Sequence, residues 1–549
     1  MQPHSSVPAS QFQDWYNNEH GPLRLRLSNF IKNGFRYRAT DLRNGNTTNS
    51  AGNGNLLDEW MAIYDITDMN ELKGEEYMKL RGPPVQSERE RELRKSVNID
   101  RRGFQTVMSY EDEDNFTKLE GLETRAEDYG LVAICTVVDT MEMVKQINEW
   151  LLEERIPALE QLPGFLRTRL FVRSAIDGTN RIGIEVLILH DVLVKGNKTT
   201  DLDPALLIPP KVGKLSAIRT YKMYYILGPA PRDLTPLHSS STPSFSNNAT
   251  ATYTLPSPTI PSITSFITTS DKITLRYRLE GSADPDAPLI ILSNCILADL
   301  GLWDHFLVAF FSHPQNLRYR VLRYDTRGRT SECGTQAINI DLLASDIIDL
   351  LNALRIPRAY AAIGVSMGGA TVLNAALNHP DRIERFIACD TNAKSPATNR
   401  KAWNERIDLA EKEGAVSTST KQCIVGEELA ELTTRRWFTE ESYDGGKLEA
   451  ECLRVKRMVA ENSLVGFKSS AQALCDYDFE AKMAKFNGKG LFLVGAKDGV
   501  LPRTMHGMAR KLGDGTPRLV IIHGAGHLPM VERPEVVARE VTRFLDEES

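Results

Sequence analysis

The sequence has few of the features that mark membrane or nucleic-acid-binding proteins. None of its apolar runs approaches the roughly 20 residues that a transmembrane helix needs. The net charge is −6, without a polybasic cluster, and the first residues lack the apolar core of a signal peptide. We therefore expect a cytoplasmic protein that binds neither a membrane nor nucleic acid.

Cysteine is too scarce and too scattered for a disulfide framework or a zinc site. The chain has seven cysteines, an odd number, and no C-x-x-C motif. This usage is typical of reduced thiols inside a cell. We expect no metal and no cofactor.

The chain is long enough for more than one core. It has 549 residues, 41% of them hydrophobic and 25% charged, which is ordinary for a globular protein of several domains. From Pro229 to Ser270 it is rich in Ser, Thr, Pro and Asn. We predict a linker at 230–264, with Ile260–Thr268 forming the first edge strand of a following domain at 265–549.

The N-terminal part contains an internal repeat. Residues Trp15–Ile31 align without gaps on Trp150–Leu166, and the matched pairs include Trp15/Trp150, Glu19/Glu154, Pro22/Pro157, Leu27/Leu162 and Phe30/Phe165. Around each copy the apolar periodicity predicts the order β-α-β-β-α-β, which is that of the ferredoxin-like fold, also called split βαβ. We predict two such repeats, at 1–115 and 116–229, forming a pseudo-dimeric α+β barrel. Only Met1–Val7 precedes the first helix, so the first sheet is expected to be short of a strand.

One motif of the first repeat resembles a known family. It reads Asp14-Trp15-Tyr16-Asn17-Asn18-Glu19-His20-Gly21-Pro22-Leu23-Arg24 and is similar to the fungal and bacterial EthD-like dimeric α/β-barrel proteins. The resemblance implies dehydration or decarboxylation of aromatic polyketides, with His20 as the acid–base group. Tyr37 would line a barrel cavity. In the second repeat Arg155 stands in place of His20.

These N-terminal residues also have simpler interpretations. His20 could be an exposed residue at a helix end, capped by Gly21-Pro22, and Tyr37 could serve in cross-strand packing. The half could equally be a pairing module that holds the protein as a homo-oligomer.

After the linker the pattern alternates between strands and helices. Strand-like runs occur at Ile273–Leu279, Leu289–Ser293, Tyr319–Tyr324, Tyr360–Val365, Phe386–Cys389, Gly490–Val494 and Arg518–Ile522. This alternation predicts a mostly parallel sheet covered on both faces. In such sheets functional residues gather at the carboxyl ends of the strands.

A candidate nucleophile lies in Gly364-Val365-Ser366-Met367-Gly368-Gly369. The motif sits between an apolar run and a helical stretch of small residues, the context of a nucleophile elbow. The flanking glycines are expected because side chains there would collide as strand and helix close on each other. Ser366 is therefore the predicted nucleophile.

Its predicted partners follow the last two strands. Asp498 comes after Gly490–Val494 and His527 after Arg518–Ile522, so the chain order is Ser, Asp, His, as in α/β-hydrolases. His527 would take the serine proton and Asp498 would orient the imidazole. Asp390 is a rival acid, and His523 a weaker rival base.

Two backbone N–H groups are predicted to stabilise the oxyanion. One belongs to Met367, directly after the nucleophile. The other comes from the loop after Leu289–Ser293, where Cys295 is the best candidate. We expect its thiol to be a packed small side chain, since no histidine is adjacent to it in sequence.

Several segments of this half resemble 3-oxoadipate enol-lactonases. They are Ser293–Trp303, Val321–Gly328, the elbow, and Arg436-Trp437-Phe438-Thr439. The resemblance implies an α/β-hydrolase fold with a helical cap at about 393–487, and hydrolysis of a lactone or ester by Ser366, Asp498 and His527. Cys295 and Ile296 stand where that family usually has Ser and Leu, and the histidine usual after Gly328 is missing. The small diacid substrate of the family is therefore not carried over.

The substrate pocket can be named only in part. Arg436 could supply a cation for a substrate carboxylate and Trp437 an apolar wall. A surface arginine next to a tryptophan of the hydrophobic core would give the same sequence pattern.

The whole chain is thus predicted to be an α/β and α+β multidomain enzyme. The leading hypothesis is a carboxylic ester hydrolase that opens a small-molecule lactone or ester in fungal-type specialised or aromatic metabolism. The alternatives are a lyase or cyclase built on the same triad, a binding module with an inert hydrolase half, and a two-step enzyme with one site in each half.

Overall fold

The chain forms two compact units. The computed structural model describes residues 1–40, 58–83, 85–112, 129–174, 183–193, 214–239, 243–245, 252–443, 445–513 and 518–547. One unit comprises Met1–Pro231 and Phe245–Ala249, the other Arg232–Ser244 and Thr250–Ser549. The predicted boundary between residues 115 and 116 lies outside the described residues.

The first unit is built on a seven-stranded antiparallel sheet. In spatial order the strands are Trp60–Ile66, Ile31–Ala39, Lys214–Ile226, Tyr129–Val138, Ile184–Leu193, Phe165–Arg173 and Phe104–Glu111. The four strands of the second repeat lie side by side, flanked on both sides by strands of the first. Gln2–Pro3 pairs instead with Val97–Asn98 in a separate two-stranded sheet. The described part of the first repeat thus contributes three strands to the large sheet, and the second contributes four.

The helices of the two repeats have the same irregularity at the same aligned position. In the first repeat they are Ala9–Trp15, a π-helical turn at Tyr16–His20 and Gly21–Leu25. In the second they are Met141–Trp150, a π-helical turn at Leu151–Arg155 and Ile156–Glu160. A π-turn widens the helix by one residue and often marks a functional position. Because the helix continues through Gly21-Pro22, His20 does not stand at a helix end.

Further helical elements of this unit follow the strand Trp60–Ile66. They are Met69–Lys73, Glu75–Lys79 and Glu88–Lys95. The second helix predicted for the second repeat lies outside the described residues.

The second unit is built on a ten-stranded sheet. Its strands are, in spatial order, Ser244–Phe245, Tyr253–Leu255, Ser262–Thr268, Thr274–Gly281, Arg320–Tyr324, Leu289–Ser293, Ala361–Val365, Arg385–Cys389, Lys489–Gly495 and Leu519–Ile522. The last six pair in parallel. The seven strand-like runs of the sequence agree with these bounds to within two residues, so the predicted alternation is confirmed.

One prediction about this sheet is wrong. The strand Ser262–Thr268 is not at the edge, because Tyr253–Leu255 pairs outside it. The composition of 230–264 favoured a linker, yet the segment also holds the helix Thr235–Ser239. Hydroxyl side chains allow this pairing, since the Thr252 hydroxyl is hydrogen-bonded to that of Ser265 at 2.8 Å and β-branched threonines suit a strand.

Helices surround the parallel part of the sheet. Those that flank it are Asp304–Phe311, Ile340–Ala353, Met367–Asn378, Leu501–Ala509 and Pro534–Leu545. Short helical turns lie at Leu300–Trp303, Pro314–Arg318, Glu440–Ser442 and Pro529–Glu532. Between the strands Arg385–Cys389 and Lys489–Gly495 the chain forms Asn399–Glu413, Glu427–Trp437, Glu449–Ala460, Leu464–Ala473 and Glu480–Met483. We call these last five helices the cap.

Local sequence explains the flanking helices. Ile340–Ala353 begins at Asn339, whose side chain accepts the N–H of Leu342 at 2.8 Å, as expected of an N-cap. Its apolar residues recur three and four apart and bury one face. The strand Leu289–Ser293 is buried at every position, as expected of a central parallel strand covered on both faces. No helix among the described residues is both long and apolar enough to cross a bilayer.

Candidate active site

Ser366 occupies a tight turn between the strand Ala361–Val365 and the helix Met367–Asn378. Its φ of 57° and ψ of −116° are a strained combination for a residue with a side chain. Two hydrogen bonds of its backbone stabilise this strained conformation. The Ser366 N–H donates to the Cys389 carbonyl at 2.9 Å, and the Ser366 carbonyl accepts the Thr391 hydroxyl at 2.7 Å. The turn leaves the serine partly exposed.

The glycines beside Ser366 are required by close backbone contacts. A Cβ on Gly364 would lie 2.1 Å from the Gly368 carbonyl oxygen, and a Cβ on Gly368 would lie 2.3 Å from the carbonyl oxygen of Ser293. The predicted reason for these glycines, collision between strand and helix, is confirmed. Gly368 also brings the elbow against the loop that follows Leu289–Ser293.

His527 and Asp498 form a hydrogen-bonded pair. Nδ1 of His527 lies 2.7 Å from Oδ2 of Asp498. When Nδ1–H donates to an ionised carboxylate, the second ring nitrogen carries the free lone pair. The rival histidine, His523, is exposed just beyond the last strand.

The rival acid, Asp390, is a neighbour of Asp498 and not its replacement. It follows the strand Arg385–Cys389, is 1% exposed and accepts the Gly495 N–H on Oδ1 at 2.8 Å. One carboxylate oxygen each of Asp390 and Asp498 and one ring nitrogen of His527 lie within 4.8 Å of one another. Two carboxylates this close need a proton or another cation between them, because two bare negative charges repel.

The two carboxyl groups have opposite pKa shifts. Burial and the nearby Asp498 carboxylate raise the pKa of Asp390 well above its ordinary value. Burial alone would also raise the pKa of Asp498, but the charge of His527 and its hydrogen bond to Asp498 bring it below the ordinary value. Asp498 is therefore the ionised member of the pair.

The loop that carries His527 is joined to the cap. The His527 N–H donates to the Trp437 carbonyl at 2.7 Å, and the two rings stack with centroids 5.9 Å apart at 27°. Trp437 is 1% exposed, so the imidazole packs against a buried indole. Sequence reasoning offered this residue as a wall of the substrate pocket.

Glu532 strengthens the same junction and was missed in the sequence. It is 2% exposed, and one of its oxygens accepts the Thr439 N–H, the Thr439 hydroxyl and the Ser442 hydroxyl at 2.9, 2.9 and 2.7 Å. Its other oxygen accepts the Gly526 N–H at 2.5 Å. The sequence signal for a buried role of Glu532 is its position directly after the apolar run Leu528–Val531.

Arg436 is a guanidinium without a partner near this centre. It lies on the cap helix Glu427–Trp437 and has neither a hydrogen bond nor an ion pair among the described residues. Burial, followed by the charge of Arg406, lowers its pKa to about 10, and both Asp498 and Cys295 lie within its electrostatic reach. Its side chain is nevertheless exposed, next to the buried Trp437, which is the alternative of a surface arginine beside a core tryptophan. Arg406, stacked on Trp403 at 4.7 Å, was not found from the sequence.

The loop that carries Cys295 is held in place by Asn294. The Asn294 amide donates to the Tyr324 carbonyl at 2.7 Å and accepts the Trp303 indole N–H at 2.9 Å. Cys295 itself is fully buried. The thiol is packed inside the protein, and burial raises its pKa.

A separate groove lies elsewhere in this unit. It has a volume of about 780 Å³, and its walls include Asp299, Arg329 and the segment 415–420. Neither Ser366 nor His527 lines it.

In the first unit His20 is buried and paired, so the alternative of an exposed histidine is wrong. It is 7% exposed, and Nδ1 lies 2.9 Å from Oε1 of Glu90. The rings of Trp15 and Tyr16 lie 4.7 and 4.8 Å from the imidazole. Burial, and then the charge of Arg24, lower its pKa to about 4, so the ring is neutral at pH 7.

Tyr37 packs in an apolar cluster on the large sheet of the first unit. It is 1% exposed, and its buried neighbours include Phe35, Leu131 and Tyr221. Burial, followed by Asp191, raises the pKa of its hydroxyl. His20 and Tyr37 belong to different apolar surroundings, since the clusters around Trp15 and around Tyr37 have no member in common.

Known proteins resemble the C-terminal half. A family model of the α/β-hydrolase fold matches residues 288–534. 3-Oxoadipate enol-lactonase 2 of Acinetobacter baylyi is 30% identical over 233 residues, which are 42% of this chain and 79% of that protein. 3-Oxoadipate enol-lactonase 1 of the same organism is 27% identical over 270 residues, 49% of this chain and 92% of that protein. The crystal structure of an enol-lactonase from Burkholderia xenovorans LB400 covers 51% of this chain and 100% of its own, with 28% identity and a TM-score of 0.44.

The sheet order and the sequence match agree on the C-terminal half. The parallel strands from Leu289 to Ile522 fall within or beside the matched range, and the cap lies inside it. Through residues 288–534, this chain belongs to the α/β-hydrolase family of enzymes.

Proposed function

We propose that the C-terminal half hydrolyses a lactone or a carboxylic ester, with Ser366 as nucleophile, His527 as base and Asp498 as the orienting acid. The observation that carries the proposal is the hydrogen bond of 2.7 Å between His527 and Asp498. It orients the imidazole at the same sheet edge as Ser366, since each residue follows the carboxyl end of a parallel strand.

The proposed reaction has two steps. In the first, Nε2 of His527 takes the Ser366 proton while the oxygen attacks the carbonyl carbon. The C–O bond of the ester then breaks, and the leaving oxygen receives that proton. In the second step His527 takes a proton from water, the hydroxide attacks the acyl-enzyme, and the carboxylic acid leaves as the proton returns to Ser366.

Backbone N–H groups would stabilise the negative oxygen of each tetrahedral intermediate. Met367 supplies one from the first turn of its helix, whose dipole also favours negative charge. We assign the other to Cys295, because Gly368 brings the helix start against the carbonyls of Ser293 and Asn294.

The unpaired cation suggests the class of substrate. Arg436 has no carboxylate partner of its own among the described residues, and a guanidinium can bind a carboxylate in a bidentate manner. We propose a lactone or ester that carries a carboxylate away from the scissile bond. Two relatives of this half are 3-oxoadipate enol-lactonases, which supports a lactone substrate.

Labelling of the nucleophile tests this proposal. A fluorophosphonate should label the full chain once, at Ser366, and the label should disappear in Ser366→Ala. Ser345→Ala is the matched control, because Ser345 lies on a helix and its hydroxyl donates to the Asp341 carbonyl. Labelling that persists without Ser366 would contradict the assignment.

A lyase or cyclase could use the same three residues. Turnover in ¹⁸O-labelled water separates these reactions, since hydrolysis places one solvent oxygen in the acid product. A product without solvent oxygen would favour the non-hydrolytic alternative.

A second candidate function belongs to the first unit. Nδ1 of His20 is held by the buried carboxylate of Glu90, while Nε2 has no hydrogen-bond partner among the described residues. A neutral imidazole oriented by a carboxylate is suited to acid–base chemistry. This favours the two-step hypothesis, in which an EthD-like half also acts on an aromatic, polyketide-type compound in fungal-type specialised metabolism.

The strand order supports the proposed architecture of that half. The second repeat has the ferredoxin-like order, with its strands running Lys214–Ile226, Tyr129–Val138, Ile184–Leu193 and Phe165–Arg173. The outer two pair with Ile31–Ala39 and Phe104–Glu111 of the first repeat. We propose a pseudo-dimeric barrel that lacks one strand of the first repeat. His20→Gln should abolish the second activity and preserve ester hydrolysis, whereas loss of both would contradict two separate sites.

A further inference from the structure

Asp390 is a buried acid that the proposed reaction does not use. Its Oδ1 accepts the Gly495 N–H, while Oδ2 is buried and receives no hydrogen bond from any described residue. Its backbone φ of 45° is unusual for a residue other than glycine. A costly conformation and a buried polar oxygen at the same position point to a specific role.

The neighbours of Asp390 are mostly negative. A carboxylate oxygen of Asp498 lies within 4.8 Å of one of Asp390, and Glu532 adds a further negative charge. The adjacent Cys389 is fully buried, and both desolvation and Asp390 raise the pKa of its thiol. The thiol therefore stays neutral and supplies no charge.

The nearby positive groups favour the ionised form of Asp498. His527 donates to Asp498, and the charge of Arg436 also lowers the pKa of Asp498. At Asp390 the largest effects are desolvation and the Asp498 carboxylate, and both raise its pKa. Desolvation and like-charge repulsion therefore act in the same direction on Asp390, and both favour its neutral form.

We propose that Asp390 is a protonated carboxylic acid that donates a hydrogen bond to Asp498 and thereby positions Asp498 toward His527. The O–H on Oδ2 satisfies the otherwise unpartnered oxygen, and the Gly495 N–H holds the other oxygen. The proton stays on Asp390, and no bond is made or broken. Asp390 is thus a positioning residue, and this role rests on the proposed hydrolase function.

The geometry explains why two acids are present at adjacent strand ends. Asp390 ends the strand Arg385–Cys389 and Asp498 follows Lys489–Gly495, and these strands pair in parallel. A neutral donor on one side and the imidazole on the other hold the Asp498 carboxylate in one orientation. Hydrogen bonds that fix a carboxylate also keep it ionised.

Carbon NMR tests the protonation state without any activity. The full chain, labelled with ¹³C at aspartate carboxyl carbons, is compared with Asp390→Asn at pH 7 to assign the resonance of Asp390. We expect that resonance at the shift of a protonated acid at pH 7. A resonance at the carboxylate shift would overturn the proposal, whatever the enzyme hydrolyses.

The kinetics of a matched pair test the positioning role. With p-nitrophenyl acetate as probe, Asp390→Ala should lower kcat by about 10- to 100-fold, because the hydrogen bond to Asp498 is lost. Asp390→Asn, whose amide can donate to Asp498 and accept from Gly495, should recover most of that loss. Equal losses in both variants would overturn the role.

The acid limb of the pH profile distinguishes a neutral from an ionised Asp390. Replacing a neutral acid by Asn changes no charge near His527, so the acid limb of kcat/KM should stay in place in Asp390→Asn. If Asp390 were an anion, its removal would shift the limb to lower pH by about one unit, and the proposal would be wrong. Absence of Ser366-dependent turnover in the unsubstituted protein would instead refute the proposed function, and the NMR result would still stand.

Discussion

At the scale of single residues, the surroundings decide what each side chain does. His527 and His523 lie four positions apart, yet one is held by a carboxylate and the other is exposed. Burial raises the pKa of the Cys295 thiol, whereas the turn at Ser366 leaves that residue partly exposed. A chemical role therefore requires the right residue type and also the right burial and hydrogen-bond partners.

The two histidines provide a matched test of the proposed base. His527→Ala should lower kcat by at least about 1000-fold, because the serine loses its proton acceptor. His523→Ala should keep nearly full activity, since His523 is exposed. Steady-state kinetics with an activated ester measures both, and equal effects would contradict the assignment.

A buried histidine in the first unit should make that unit sensitive to acid. His190 is fully buried, with Nδ1 2.8 Å from the Thr168 hydroxyl. Burial, and then the charge of Arg155, lower its pKa from 6.5 to about 3. The folded state then binds fewer protons than the unfolded state, so stability is lost as pH falls from 6.5 toward 3.

His190→Leu should remove this sensitivity. Between pH 7 and pH 4 the unsubstituted unit should lose up to about 3 kcal/mol of stability from this group, and the variant should lose correspondingly less. Urea unfolding at the two pH values measures the difference. His4→Leu is the control, because His4 is exposed in the same unit, and an equal effect of both changes would count against the explanation.

At the scale of elements, backbone contacts determine the site. The elbow helix starts against the loop of Ser293 and Asn294, and the cap helix ends against the His527 loop. Gly368 makes the first contact and Gly526 the second. Glycine is needed at both positions because a side chain would collide with the neighbouring carbonyl oxygen.

Two glycines in helices should respond in opposite ways to alanine. Gly368→Ala would place a Cβ 2.3 Å from the Ser293 carbonyl oxygen, so we expect a loss of about 1–3 kcal/mol and of most activity. Gly507→Ala in the helix Leu501–Ala509 meets nothing within 4 Å and should stabilise by about 0.5–1 kcal/mol. Thermal unfolding and ester hydrolysis measure both changes.

The junction between cap and histidine loop depends on Glu532. Glu532→Gln removes the charge that four donors share and places an NH₂ group against one of them. We expect kcat to fall about 10-fold or more, together with a lower Tm, because the unpaired donors cost about 1–3 kcal/mol. Glu535→Gln, three residues along, is the control, and equal effects would show that the charge of this region matters and not the junction.

At the scale of the whole molecule, the two units have separate cores. The strand Ile184–Leu193 packs in one core and Leu289–Ser293 in the other. Calorimetry should therefore resolve two transitions. Ile188→Ala should lower one of them by several degrees and spare ester hydrolysis, while Ile291→Ala should lower the other. Both residues are fully buried, and a single shared transition in either variant would contradict independent cores.

Local patterns were enough for much of this molecule. Alternating apolar runs predicted the strands of the C-terminal half to within two residues, because a buried parallel strand must be apolar throughout. The order of Ser366, Asp498 and His527 pointed to one sheet edge, because each follows a strand. The two repeats also share a π-helical turn, at Tyr16–His20 and at Leu151–Arg155, because similar sequences pack in similar ways.

Contacts between distant segments were decided by tertiary structure alone. The sequence determined that a serine, two acids and a histidine follow neighbouring strands. Only the packing decided that Asp498 meets His527, that Asp390 lies beside them, and that Glu90 holds His20 from 70 residues away. The physical reason is that burial and charge pairing depend on groups brought together by the fold, and no local pattern records which groups those will be.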